Sequence, residues 1–170
     1  MSKTKVNFGV IGAGGIAFRK TIPGMLKAKN FRLVAVMDPV DIDRVAGELK
    51  VKAAYQTEAE LLADPAVEAV YIASPVSCHA KQIKMAAAAG KHILCEKPLT
   101  LKLKQAQEAV EVCKKNKVLL QEGYMMKFHG AHVKMKELID EGRLGKIVYM
   151  RAQLSCWYPK MEGAWRQDPR

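Results

Sequence analysis

Three short stretches hold side chains or backbone that could do chemistry. The first is Gly12-Ala13-Gly14-Gly15-Ile16-Ala17, which fits G-x-G-x-x-A. Gly12 permits a tight turn, and Gly14 leaves room for a pyrophosphate to approach the backbone. Ala17 is small enough for a helix to pack closely on a strand. A helix starting there offers free N–H groups and a partial positive charge to phosphates. The second is Asp38, at the end of an apolar run and roughly 20 residues past the glycines, where an acid can hold the adenosine ribose hydroxyls and repel the extra phosphate of NADP. The same Asp could instead open the turn Asp38-Pro39 or cap the next helix. Arg44 is near enough in sequence to keep NADP open beside NAD. The third is Cys95-Glu96-Lys97-Pro98, where a buried Lys could act as acid or base beside a nicotinamide and a cis Pro98 could aim it.

The elements that must position these residues follow from periodicity. Val6, Phe8, Val10 and Ile11 predict a buried strand before the glycines, and Ile16 to Lys27 can carry the helix after them. Phe31–Met37 is a second strand, Asp41–Lys50 a short helix and Ala53–Tyr55 a short edge strand. Thr57-Glu58-Ala59-Glu60 resembles a capping box into Leu61-Leu62, stopped by Asp64-Pro65. Glu68–Ala73 reads as a strand, Ser77–Ala89 as an alanine-rich helix ended by Gly90, and Lys91–Cys95 as a strand. Thr100 is placed to cap a helix over Leu101–Lys115, and Val118–Glu122 is a further strand. Strands alternating with helices predict an α/β fold, a doubly wound parallel sheet of the Rossmann type. After Gly123 the rhythm changes. His129–Glu141 is an amphipathic helix closed by Gly142, Gly145–Ser155 alternates like a long strand, and Cys156–Arg170 has no regular period.

Composition narrows the function classes. The 170 residues are 49% hydrophobic and 26% charged, as in ordinary globular chains. The net charge of +11 is spread among acids, and aromatics are only 6%, so no stacking platform for nucleic acid accompanies it. Cys78, Cys95, Cys113 and Cys156 form no C-x-x-C pair, and no signal-peptide pattern fits the N-terminus, so they read as reduced thiols of a cytoplasmic protein. No apolar stretch is long enough for a bilayer. His129 and His132 lack a third ligand, so no metal is expected, and His92 reads as structural. Met85, Met125, Met126, Met135 and Met150 read as core filler.

Taken in order, the glycine turn, Ser74-Pro75-Val76-Ser77-Cys78-His79, the Ala-Gly-Lys-His run and Cys95-Glu96-Lys97-Pro98-Leu99 resemble the Gfo/Idh/MocA oxidoreductase family across essentially the whole chain. The resemblance implies an NAD(P)-dependent enzyme of sugars, polyols or related alcohols. It implies cofactor contacts from Gly12, Ala13, Gly14, Gly15, Ile16, Asp38, Ser74, Pro75, Val76, His79, Glu96 and Lys97, and from a Trp165-Arg166 pair bordering the cleft. Lys97 is the expected catalytic residue at the reacting hydroxyl or carbonyl, and Tyr124 faces the substrate. It further implies a cofactor domain over 1–123 and, over 124–170, the first helix and strand of an incomplete α+β second domain, pairing as a homo-oligomer or with another chain. Family members are longer and carry an Asp and a His in a segment past Arg170. The chain is therefore expected to be an N-terminal portion. The alternatives are a dinucleotide-binding module or split-enzyme subunit without catalysis of its own, and a structural protein with a vestigial site.

Overall fold

The computed structural model describes residues 5–157, 159 and 160. The chain divides into two units, Met1–Met125 and Met126–Arg170. In the first, six strands run β1 (Val6–Ile11), β2 (Phe31–Met37), β3 (Ala53–Tyr55), β4 (Ala69–Ile72), β5 (His92–Cys95) and β6 (Leu120–Glu122). Every pairing is parallel, and the sheet order is β3-β2-β1-β4-β5-β6. The helices are α1 (Ala13–Thr21, continued by the turn Ile22–Met25), α2 (Ile42–Leu49), α3 (Glu58–Ala63), α4 (Val76–Ala88) and α5 (Leu103–Lys115).

Side-chain alternation along the strands divides the core into two layers. Ile11, Met37, Val70, Ile72 and Cys95 pack on one face with residues of α3, α4 and α5. Val10, Val36 and Tyr71 pack on the other with Ala13, Ala17 and Ile22 of α1 and with Ile42 and Val45 of α2. The four residues of β4 are all buried, as expected of a strand covered on both faces. The edge strands β3 and β6 are three residues each, short enough to offer little for another sheet to pair with.

Several boundaries differ from expectation. The first helix starts at Ala13 rather than Ile16, leaves helical geometry at Gly15 (φ −94°, ψ −122°), and closes with Ile22 N–H donating to Ala17 O, five residues back. Pro23 lies just beyond that wide turn; its ring cannot follow an ordinary α-turn without meeting the carbonyl four residues before it. The capping box is present, with Glu60 N–H on Thr57 Oγ1 and Thr57 N–H on Glu60 Oε2. Thr100 does not cap α5; its hydroxyl donates to Lys102 O, and Lys102 is the capping residue.

In the second unit, α6 (Gly130–Asp140) forms as expected, with His129 Nδ1 accepting from Ala131 N–H at its start. Gly145–Ser155 is not a strand: residues 147–157 are irregular, and Val148, Tyr149 and Leu154 are exposed. Alternation selects a face, but a strand exists only by pairing, and no partner strand is present among the described residues. Met125, Met126, Met135 and Met150 are exposed rather than core filler.

Candidate active site

The carboxyl ends of the parallel strands bring the expected residues to one edge of the sheet. Gly12 follows β1, Asp38 follows β2, Ser74 follows β4, Glu96 and Lys97 follow β5, and Tyr124 follows β6. The strand order reverses between β1 and β4, which opens a crevice at this edge. Gly12 sits at its mouth with φ 78° and ψ 50°. A Cβ there would lie 2.7 Å from Ser74 N, so the two turns touch through backbone.

Asp38 closes the turn that follows β2. It is nearly buried, and Oδ1 accepts from Val40 N–H and Asp41 N–H, both at 3.1 Å. Oδ2 accepts from Gly14 N–H at 2.7 Å. A Cβ on Gly14 would stand 2.7 Å from that oxygen, so in this structure the missing side chain makes room for Asp38 itself. Gly15 is open, with nothing within 4 Å of where its Cβ would be. Ala13 and Ala17 are wholly buried, so they can face a ligand only through backbone, while Ile16 is exposed. The cradle of Gly12 to Gly15, open at Gly15 and backed by a carboxylate at Gly14, fits a dinucleotide. Arg44 is engaged elsewhere: Nε and Nη2 lie 2.6 and 2.5 Å from Asp41 Oδ2, Nη1 lies 3.0 Å from Glu48 Oε1, and the guanidinium stands 4.8 Å over the Phe18 ring.

The Lys97 loop is tied on three sides. Glu96 N–H donates to Ile72 O at 2.8 Å, Leu99 N–H donates to Glu122 Oε1 at 2.7 Å, and His79 Nδ1 lies 3.0 Å from Pro98 O. The Lys97–Pro98 bond is cis. Among the described residues, the half-buried Lys97 amine has no hydrogen-bond or ion-pair partner. Burial, with Glu122 and Glu96 nearby, pushes the Cys95 thiol up to about 12, so that cysteine is inert near neutral pH.

His79 lies between the Ser74 turn and the Lys97 loop. It is 1% exposed, and its second nitrogen, Nε2, lies 2.9 Å from Ser74 O. Each ring nitrogen faces a backbone carbonyl, and the single N–H of a neutral imidazole donates to one of them, so His79 is hydrogen-bonded to one of the two segments. Ser74 Oγ donates to Gln82 Oε1, and Gln82 Nε2 donates to Glu58 Oε1 at 2.8 Å, a bond that lowers the Glu58 carboxyl below its ordinary range. Pro75 precedes α4 at the surface, and Val76 begins it half-buried. Tyr124 is 54% exposed at the same edge. Trp165 and Arg166 lie outside the described residues.

Sequence reading missed Gln82, Glu58, Tyr71 and Thr21. Tyr71 Oη donates to Glu96 Oε1 at 2.7 Å and lies 3.0 Å from Thr21 Oγ1. The available signal was a phenol inside a wholly buried strand, whose hydroxyl must find a partner. His129 and His132 have backbone partners, and no cluster of three metal-ligating side chains occurs among the described residues. No described helix is long and apolar enough to cross a membrane. An apolar groove of about 390 Å³, lined by Val6, Phe8, Met25 and Phe31 among others, lies at the opposite edge of the sheet and shares no residue with this site.

The profile of the oxidoreductase family with an NAD-binding Rossmann fold, Gfo/Idh/MocA, matches residues 6–124. The D-xylose 1-dehydrogenase (NADP(+)) 2 of Haloferax volcanii is 33% identical over 163 residues, 95% of this chain and 50% of that protein. The scyllo-inositol 2-dehydrogenase (NAD(+)) of Bacillus subtilis is 35% identical over 149 residues, 86% of this chain and 44% of that protein. The scyllo-inositol dehydrogenase of Lactobacillus casei, solved with NAD(H) and scyllo-inositol bound, superposes with a TM-score of 0.76 at 26% identity, covering 84% of this chain and 43% of that one. The chain spans about half the length of the curated relatives it matches.

Proposed function

The chain belongs to the Gfo/Idh/MocA oxidoreductase family, and from that premise we propose that it is the cofactor-binding portion of an NAD-dependent dehydrogenase or reductase of a sugar or polyol. The observation that carries this reading is the convergence of the glycine turn, Asp38 and an unpartnered Lys97 amine on one sheet edge. Bound nicotinamide supplies or accepts the hydride. The open backbone at Gly15 and the first turn of α1 meet the pyrophosphate, since Gly12 N–H is held by Met37 O and Gly14 N–H by Asp38. Lys97 takes or returns the proton of the reacting hydroxyl, for which its amine must be free of other acceptors. Tyr124 borders the substrate, and residues 124–170 open the substrate domain. The names of the relatives support polyhydroxylated substrates.

NAD is the preferred cofactor in this reading. A 2′-phosphate would meet the Asp38 carboxylate, and Arg44, the nearest cation in sequence, is bound to Asp41 and Glu48. The test is titration of the chain with NADH and NADPH, followed by nicotinamide fluorescence. NADH is expected to bind at least about tenfold more tightly, a difference of about 1.4 kcal/mol. Equal affinities would overturn the Asp38 assignment, and no binding of either would overturn the cofactor site. Lys97→Met is expected to abolish turnover in the full enzyme; wild-type turnover would remove Lys97 from the reaction.

A further inference from the structure

Tyr71 is 1% exposed and sits in an apolar cluster with Val10, Ala17 and Ile22. Its hydroxyl is the one polar group it brings there, and that group points at the reaction end of the site. A phenol has a single proton. With that proton on Glu96 Oε1, the Thr21 hydroxyl is left to donate to Tyr71, so the bonds run in one direction from α1 to Glu96. Glu96 is then held at both oxygens: Oε1 by Tyr71 and Oε2 by the backbone N–H of Lys97 at 3.2 Å. Burial raises the Tyr71 hydroxyl well above its ordinary range, and Glu96 adds to the effect, so Tyr71 keeps its proton and remains a donor.

We propose that Tyr71 is a positioning residue for Lys97. It fixes one oxygen of Glu96 so that the other fixes the Lys97 amide, and Thr21 orients the Tyr71 hydroxyl. The strand residue thereby ties the helix that follows the glycine turn to the loop that carries the reacting amine. Without the hydroxyl, Glu96 loses its fixed partner. Its carboxylate is then free to turn, and the Lys97 N–H loses its fixed acceptor while the loop keeps its ties to Ile72 and Glu122. The proposal rests on Lys97 being the reacting group, but its test reads the position of Lys97 without turnover.

The test is limited acetylation of the folded chain with an N-hydroxysuccinimide ester, with the ratio of modification at Lys97 to that at exposed Lys114 read by mass spectrometry. Tyr71→Phe keeps the ring and is expected to change that ratio by about fivefold, the weight of one hydrogen bond to a carboxylate. Thr21→Val should move it in the same direction by less. Added to Glu96→Ala, Tyr71→Phe should have no further effect, because both act through one carboxylate. An unchanged ratio in Tyr71→Phe with an intact circular dichroism spectrum would overturn the proposal, as would full additivity with Glu96→Ala. If Tyr71→Phe unfolds the chain, the Thr21→Val ratio decides in the same way. Turnover surviving Lys97→Met would remove the reacting role of Lys97 while leaving this ratio as it is, so the two failures are distinct.

Discussion

Cys95 and Tyr71 lie on the neighbouring strands β5 and β4, and both resist ionisation because they are buried. The Cys95 thiol rises from its ordinary 9.0 to about 12, and the Tyr71 hydroxyl rises from 10.0. Between those values the folded chain keeps protons that the unfolded chain releases. Protons bound thus favour the folded state, whose stability must fall as pH rises. The contribution is complete below pH 9 and is lost as pH climbs toward 12. We expect the urea midpoint to be flat from neutral pH to about 9 and to fall steadily above it, with a shallower fall in Cys95→Ala. A midpoint that stays level to about pH 11 would contradict the burial of these two groups. Neither role was legible in the sequence. Tyr71 stands in an apolar run where an aromatic reads as bulk, and the partners of its hydroxyl come from the loop after β5 and from α1. His79 was expected beside the Ser74 turn, but the two carbonyls it faces, Ser74 O and Pro98 O, belong to two loops that meet only in the folded sheet.

At the scale of elements, the approach of the β1 turn to the end of β4 is the tightest constraint on the site. Gly12→Ala would place a methyl group 2.7 Å from Ser74 N and force an L-residue to φ 78°. The left-handed backbone costs about 1–2 kcal/mol, and the overlap about 1–3 more. The thermal midpoint should therefore drop by about 10 °C, whereas Gly15→Ala, with open space around its Cβ, should barely move it. Equal midpoints for the two variants would show that the turns do not touch. The strands themselves were legible because β1, β2 and β4 are dense in β-branched and apolar residues between turn residues. Gly145–Ser155 was misread for a related reason: its alternation is genuine, but alternation says nothing about whether a partner strand exists.

At the scale of the whole molecule, the six-stranded sheet is two three-stranded halves. Strands β3, β2 and β1 come from the first half of the unit, and β4, β5 and β6 from the second. The halves are joined in the sheet by one ladder, Phe8↔Ala69 to Ile11↔Ile72. The sequence disclosed the alternation of strands and helices, and with it this architecture, because each half repeats the same short units. It put candidate site residues in both halves but did not disclose the backbone contact between them at Gly12 and Ser74. The glycine turn and Asp38 belong to the first half; Ser74, His79 and Lys97 belong to the second. A dinucleotide lying across the crevice would therefore grip both, and its binding energy would count equally as energy holding the halves together. Such a ligand would act as a seventh structural member, a rivet through the seam of the sheet, and the seam is where its loss would first be felt.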